Sequence, residues 1–379
     1  MAFQLTSEQE MVRLMARDFA RRELEPFARK WDQEERFPVE AIKKMAALGL
    51  MGMMIPPEYG GAGAGAVSYS LALQEIAYSC PSTAVTMSVT NLSQNPILQF
   101  GTEEQKSETL TALASGRHLG AFAITESGAG SDPASLTTRA ELQGDSYVVN
   151  GSKVFITNGS YADDIILIAR SASEKSNRGL SAFILEKGTP GLSVGRREDK
   201  MGLRASDTVE LILEDCTIPR SHLLGREGQG FKIAMVALDS GRIGIASQAI
   251  GIARACLNEA IQYSKDRRQF GRAISSFQAI RWMIADMATE IEAANALVLQ
   301  AADKKDGDLP FTREASMAKL FASEMANRAA YQALQIHGGY GYMKEYKVER
   351  LYRDVRVTAI YEGTSEVQRI VIAREVMGD

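Results

Sequence analysis

One carboxylate in this chain sits where it could act as a base. The stretch Ala359-Ile360-Tyr361-Glu362-Gly363-Thr364-Ser365-Glu366-Val367-Gln368-Arg369 sets Glu362 on a short loop between two helical segments, behind an apolar approach. Gly363 lets backbone or ligand come close with no Cβ in the way. Burial beside an apolar wall raises a carboxylate's pKa and makes it a stronger base once deprotonated, as proton abstraction requires. Thr364 or Ser365 can cap the next helix, whose inward face is expected to carry Val367, Ile370 and Val371. A solvated loop residue fits the same fragment.

Two other stretches end in groups suited to a polar ligand. Ala121-Phe122-Ala123-Ile124-Thr125-Glu126-Ser127-Gly128-Ala129-Gly130-Ser131-Asp132 runs from a predicted strand into a loop rich in glycine and hydroxyl groups. Val154-Phe155-Ile156-Thr157-Asn158-Gly159 ends the same way, and a regular pleat would put Phe155 and Thr157 on one side. Turn chemistry alone accounts for either stretch taken singly. The glycines between Ile55 and Gly65 are no phosphate cradle, because no Lys-Ser or Lys-Thr follows and no GxGxxG is completed after a strand.

The elements that must position these groups fall into three blocks, expected at 1–118, 119–225 and 226–379. The first reads as helices: a capping box from Ser7 and Glu10, a helix entered at Pro38 and stopped by Gly49, and others from Ser68, Ser82 and Thr102. Near Leu119 the period changes from 3.6 towards 2, with strands predicted at 119–125, 146–149, 153–157, 164–169, 180–186 and 208–213. Asn150-Gly151 between two of these predicts a type I′ hairpin. Short strands without long intervening helices point to an antiparallel sheet or barrel and away from a doubly wound fold. After Gly230 long helices are expected at 231–265, 276–304 and 312–337, forming a bundle able to share faces with other subunits.

Composition narrows the function classes. With 43 Lys and Arg against 47 Asp and Glu, the net charge of -4 gives no reason to expect nucleic acid or an anionic membrane as partner. Cys80, Cys216 and Cys256 form no CxxC, and His118, His222 and His337 lack metal-ligand spacing, so neither a disulfide framework nor a metal site is expected. His337 reads as a satisfied helix-end residue. No apolar run reaches membrane-span length and residues 1–10 lack signal-peptide character, so a cytoplasmic protein is expected.

Taken together, AFAITESGAGSD, NGSKVFITNGS, LDSGRIGIASQAIGIA (238–253), DRRQFG (266–271), QIHGGYGY (335–342) and IYEGTSEVQR (from Ile360) resemble the acyl-CoA dehydrogenase family over nearly the whole chain. The short-chain (butyryl-CoA) branch is the nearest in pattern, through GRREDKMGLRASDT and LDSGRIGIASQ. The resemblance implies an α+β multidomain fold: an N-terminal helical domain, a middle antiparallel β domain and a C-terminal long four-helix bundle. It also implies FAD-dependent α,β-dehydrogenation of an acyl-CoA in fatty acid metabolism. Glu362 would remove the α-proton while the β-hydride passes to flavin N5, and the Glu362 N–H and a ribityl hydroxyl would polarise the thioester oxygen.

By the same comparison Phe122, Ile124, Thr125, Ser131, Phe155, Ile156 and Thr157 would line FAD, with Thr125 and Thr157 bonded to the isoalloxazine. Arg267, Gln269 and Phe270 would meet its diphosphate and adenine end, together with Gln335, Gly338 and Gly339 from a neighbouring subunit; Gln278, Thr364 and Glu366 would complete the contacts. The split site implies an oligomer, usually a homotetramer, with an electron-transferring flavoprotein as acceptor. Ser131, Asp239 and Arg242 would hold the CoA arm, and Tyr361 and Gly363 the acyl end. Without the resemblance, Arg242 and Arg267 read as surface salt-bridge partners.

Some positions depart from the pattern. Phe155 stands where many relatives have Trp, and Ser127 where Pro is common. Gly241 occupies the position at which the isovaleryl and long-chain branches carry their base, which leaves that role to Glu362. No Arg or Lys occurs from Val67 to Thr102, where the glutaryl-CoA branch keeps an arginine, so a dicarboxylic substrate is disfavoured. A dehydrogenase of branched or cyclic acyl-CoA is the alternative. An acyl-CoA oxidase is less favoured, since oxidases of this plan usually carry a further C-terminal domain. A helical scaffold without chemistry is opposed by retention of Glu362 and of the hydroxyls.

Overall fold

The structure is a computed structural model that describes residues 4–172 and 177–378. Helix α1 (Ser7–Phe19) passes through a π turn into α2 (Glu25–Glu34), followed by α3 (Val39–Ala47), α4 (Gly65–Ser79) and α5 (Pro81–Phe100). Two short helices, α6 (Glu103–Gln105) and α7 (Thr111–Ala114), close this part. Thr6, not Ser7, caps α1: its hydroxyl accepts from Gln9 N at 3.2 Å and Gln9 Oε1 accepts from Thr6 N at 2.9 Å. Thr6 and Gln9 satisfy the capping-box rule as well as Ser7 and Glu10 do, one residue earlier.

From Pro81 to Ile97 helix α5 is buried on every side, although much of it is Ser, Thr and Asn. Such polar groups are tolerated in a core when they find hydrogen-bond partners. Ser93 donates to Thr90 O at 2.8 Å, Asn91 to Met87 O at 3.0 Å and Gln94 to Met51 O at 2.7 Å. The interior position of α5 lets it touch both the sheet and the C-terminal helices.

Among the described residues the sheet has eight strands: β1 (Gly120–Ala123), β2 (Arg139–Gln143), β3 (Ser146–Thr157), β4 (Asp164–Arg170), β5 (Leu180–Glu186), β6 (Leu192–Arg197), β7 (Thr208–Pro219) and β8 (Leu223–Leu224). Their order is β6-β7-β3-β2-β4-β5-β8, with β1 beside β4; pairing is antiparallel except for β1–β4 and a single β2–β4 contact. Strands β2 and β6 are largely exposed and carry too little apolar alternation to mark them in the sequence.

The hairpin expected at Asn150-Gly151 is not one. β3 runs unbroken through those residues and shifts register there, while the turn joining β2 to β3 lies at Gly144, with φ 61°. Asn150 instead faces Asp215, which donates its N–H to Asn150 Oδ1 at 2.8 Å. A Cβ on Gly151 would lie 2.5 Å from Thr138 Oγ1, so Gly is required by a bulge rather than by a reversal of the chain.

The last block comprises α8 (Gly230–Asp266), a two-stranded ribbon of β9 (Arg268–Gln269) and β10 (Arg272–Ala273), α9 (Gln278–Asp306), α10 (Thr312–His337), α11 (Lys347–Val355) and α12 (Ser365–Met377). Small residues such as Ala246, Ala249, Ala253, Ala318, Ala322 and Ala326 are buried among α8, α9 and α10 and allow close approach of the helices. Asp306 at the end of α9 accepts from Ala66 N at 2.5 Å and Val67 N at 3.0 Å, capping α4. No helix of the described residues is long and apolar enough to cross a membrane.

Candidate active site

The loop ahead of α12 turns sharply. Glu362 (φ 53°) and Gly363 (φ 88°) are both left-handed, a conformation that strains a residue with a Cβ. The turn is pinned from two sides: Gln368 Nε2 donates to the Glu362 and Gly363 carbonyls, each at 3.0 Å, and Lys319 Nζ donates to Gly363 O at 2.6 Å. Thr364 then caps α12 by accepting from Val367 N at 3.3 Å. The inward face of α12 differs from expectation. Ser365 and Gln368 are its buried residues and Ile370 is 68 % exposed, because bonding the turn's carbonyls brings polar Gln368 inside and swings Ile370 out.

The Glu362 Oε2 atom is buried and bonds to no described residue. It lies against Gly241 of α8, where a Cβ would come within 2.6 Å of it and 3.0 Å of Leu92 Cδ1. Burial raises the Glu362 pKa to about 7, and the charges of Lys319 and then Arg242 pull the other way. Gly244, one turn further, is equally bare: its Cβ would meet Ser88 Oγ at 2.6 Å and Tyr69 Oη at 2.7 Å. Gln248 completes this face of α8 at the i, i+3, i+7 spacing and accepts a hydrogen bond from the Tyr361 hydroxyl. Tyr69 donates to Ser88 Oγ at 3.3 Å, and burial holds both Tyr69 and Tyr361 protonated.

Arg242 is not a surface residue. It is 4 % exposed, donates to Asp239 Oδ1 at 2.5 Å and Ser316 Oγ at 3.2 Å, and leaves Nε without a described partner. Thr312 of α10 donates to Asp239 Oδ2 at 2.6 Å, so Asp239 is held both by Arg242 of its own helix and by α10.

The strand ends are joined by a buried ion pair that sequence reasoning missed. Lys153 Nζ donates to Glu126 Oε1 at 2.7 Å and to Ile124 O at 3.1 Å. Glu126 also accepts from Thr137 N and Oγ1, each at 2.7 Å, and from Thr138 N at 3.0 Å. Burial opposes ionisation of Glu126, but Lys153 and these donors outweigh it and hold the carboxyl down to about 2. Burial brings Lys153 down to about 8, with Glu126 opposing, so both remain charged at neutral pH. Val154 N donates to Thr125 O at 2.9 Å. The only sequence signal was a charge at an inward position of β3.

The expected placement of Phe155 and Thr157 on one side of a regular pleat fails, because β3 bulges between Lys153 and Ile156 and Phe155 takes φ 60°. Phe155 is 63 % exposed, Ile124, Thr125 and Thr157 are half-buried, Phe122 and Ile156 are buried, and Ser131 is exposed. Phe122 and Leu92 share one core cluster, so α5 links these strand ends to the wall beside Glu362.

Arg267, Gln269, Gly338 and Gly339 line one cleft of about 460 Å³ with Tyr263, His337 and Tyr340. Within one chain these four residues therefore stand side by side. Nothing lies within 4 Å of a Cβ built on either glycine, and the Arg267 guanidinium lies 5.3 Å from the Tyr340 ring. His337 is satisfied at its helix end, with Nδ1 2.8 Å from Ala333 O. Gln278, Gln335 and Glu366 are exposed outside this lining, and Phe270, 93 % exposed, projects from the ribbon. Lys319 and His337 are eighteen residues apart on α10, about 27 Å of helix, so the cleft and Glu362 lie near opposite ends.

The acyl-CoA dehydrogenase N-terminal, middle and C-terminal domain families match residues 6–117, 121–216 and 228–377. A short-chain-specific acyl-CoA dehydrogenase of Clostridium acetobutylicum is 49 % identical, over 99 % of this chain and 100 % of its own. Butyryl-CoA dehydrogenase of Megasphaera elsdenii superposes with a TM-score of 0.98 at 46 % identity, covering 100 % of both chains. A chain solved in work on the electron transferring flavoprotein of Acidaminococcus fermentans and flavin-based electron bifurcation gives 0.99 at 48 % identity, again over 100 % of both.

Proposed function

Because this chain belongs to the acyl-CoA dehydrogenase family and is by that membership an oxidoreductase, we propose that it oxidises the Cα–Cβ bond of a short-chain acyl-CoA to the trans-2-enoyl-CoA. The observation that carries this is the buried, unpartnered Glu362 Oε2 facing the bare Gly241 surface. A carboxylate with its pKa near 7 is poised to take a proton from the carbon next to a thioester carbonyl. The Glu362 N–H donates to no described residue, which supports a role for it in bonding the thioester oxygen and acidifying that carbon.

The chain fits FAD. Open backbone at Gly338 and Gly339 beside the Arg267 guanidinium suits a diphosphate, and the Thr125 and Thr157 strand ends beside exposed Phe155 suit a flat polar ring. FAD supplies the two-electron acceptor for the Cβ–H bond. Thr125, Thr157, Ile124 and Phe155 orient it, with Phe122 and Ile156 behind, while Ser131, Thr364 and Glu366 border it. The length of α10 between Glu362 and the cleft supports a ligand shared between subunits of a homotetramer, with Phe270 and Gln278 reaching towards the neighbour. Asp239 and Arg242 orient the CoA arm. The Tyr361–Gln248 bond, with Tyr69 and Ser88, ends the space along α8 and supports a short acyl group bounded by Tyr361 and Gly363. An electron-transferring flavoprotein is the proposed acceptor.

Anaerobic mixing of purified protein with a panel of acyl-CoAs tests this. Butyryl-CoA should bleach the flavin and Glu362→Gln should abolish bleaching with flavin still bound. Reoxidation by air as fast as by electron-transferring flavoprotein would point to an oxidase.

A further inference from the structure

Lys319 is 0 % exposed on α10, yet its only hydrogen bond to a described residue is to the Gly363 carbonyl. A buried ammonium is expensive unless its charge is used, and a neutral donor could hold a carbonyl. The charges that face it are Glu362, Arg242 on α8, Glu324 on α10 and Glu366 on α12. Glu324 accepts from Ser365 Oγ at 2.6 Å and Arg242 pairs with Asp239, which leaves Glu362 as the carboxylate without a hydrogen-bonded partner in this group. Of the two cations that act on Glu362, Lys319 is the stronger.

Resting on the reading of Glu362 as the base, we propose that Lys319 is its positioning residue: the ammonium grips the Gly363 carbonyl, fixes the left-handed Glu362–Gly363 turn, and supplies the positive charge that keeps the carboxylate ready to accept a proton. The carbonyl contact and the charge act together. The bond sets where the Glu362 N–H and side chain point, and the charge sets how much of the carboxylate is ionised. Burial leaves Lys319 itself near a pKa of about 8, so it remains mostly cationic at neutral pH and loses this role in alkali. Sequence patterning hides the residue, since a lysine on a long helix reads as solvent-facing.

The test is stopped-flow flavin reduction by butyryl-CoA under anaerobic conditions, across pH, for holoenzyme carrying Lys319→Met, Lys319→Gln, Lys319→Arg or Glu362→Gln. Lys319→Met should move the acid limb of the rate profile up by about one pH unit or more, the usual effect of removing an opposite charge at close range. The loss should be roughly tenfold on the acid side and smaller in alkali, and Lys319→Arg should bring the midpoint back. Infrared pH-difference spectra, with the Glu362 band assigned by its loss in Glu362→Gln, should show the same displacement without turnover. Lys319→Gln reads the same quantity if the Met variant is insoluble. An equal loss at every pH with an unmoved midpoint, or failure of both neutral variants to form holoenzyme while the Arg variant does, would overturn the proposal in favour of a purely structural lysine. Full bleaching by Glu362→Gln would instead remove the base assignment, and the proposal with it; an inactive Glu362→Gln beside an unshifted Lys319→Met removes Lys319 alone.

Discussion

Gly241 and Glu362 compete for one space: a Cβ on the glycine would stand 2.6 Å from the carboxylate Oε2 and 3.1 Å from its Cδ. The bare helix face is therefore a condition for the loop carboxylate to sit where it does. Gly241→Ala should displace Glu362 while α8, which prefers Ala to Gly, keeps its helix. A shift of about 1 Å can cost roughly 100-fold in rate. Flavin content and melting temperature should hold while reduction by butyryl-CoA falls by about that factor; unchanged reduction would show that the carboxylate is free to move.

The raised pKa of Glu362 has consequences for both rate and stability. Only the ionised form accepts a proton, so reduction in the free enzyme should be half-maximal near pH 7 and fall below it. For stability the sign is opposite. A carboxyl raised above its unfolded value of 4.5 costs nothing below that value and destabilises as pH rises through about 7, by roughly 3 kcal/mol at most. Glu362→Gln should melt higher than the parent at pH 8 and equally at pH 4. Equal melting at both would mean that the carboxylate is well solvated.

Glu126 and Lys153 form the buried pair behind the strand ends. Lys153→Met leaves Glu126 buried with a charge and no cation, a loss of about 3–5 kcal/mol. Thermal unfolding and flavin retention should both suffer, and the double change Glu126→Gln with Lys153→Met should recover much of the stability. If the double variant is no better than the single, the backbone donors at Thr137 and Thr138 matter more than the cation.

Gln248 closes the α8 face by accepting from Tyr361. With the acyl group along this face, as proposed above, Gln248→Ala should free room beyond it. Discrimination against one extra methylene is worth about 1–3 kcal/mol. The ratio of kcat/KM for hexanoyl-CoA over butyryl-CoA should therefore rise by roughly tenfold or more, and a constant ratio would place the end of the pocket elsewhere.

Long periodic elements were legible in the sequence. α10 begins and ends where the periodicity of residues 312–337 puts it, and the change of period near Leu119 marks the sheet. What escaped had local signals that compete. Asn150-Gly151 has ideal hairpin chemistry, but its Gly answers to Thr138 across the sheet. Thr6 and Ser7 are equivalent caps on paper, and only the backbone decides between them. At the site, Glu362 declares itself by its Gly and Thr neighbours. Lys319, Lys153, Gln368 and Gln248 do not, because a buried polar residue has meaning only through the partner it meets, and each partner is distant in the chain or hidden inside a turn.

Helix α10 touches Gly363 through Lys319 and ends at His337 in the Arg267 cleft, so it acts as a ruler cut to one length. Taking out a single residue between those points would rotate one end against the other by about 100° and draw them together by about 1.5 Å. Such a deletion disturbs neither terminus locally and yet puts both out of phase. A change of length along this rod would therefore be felt at both of its contacts at once.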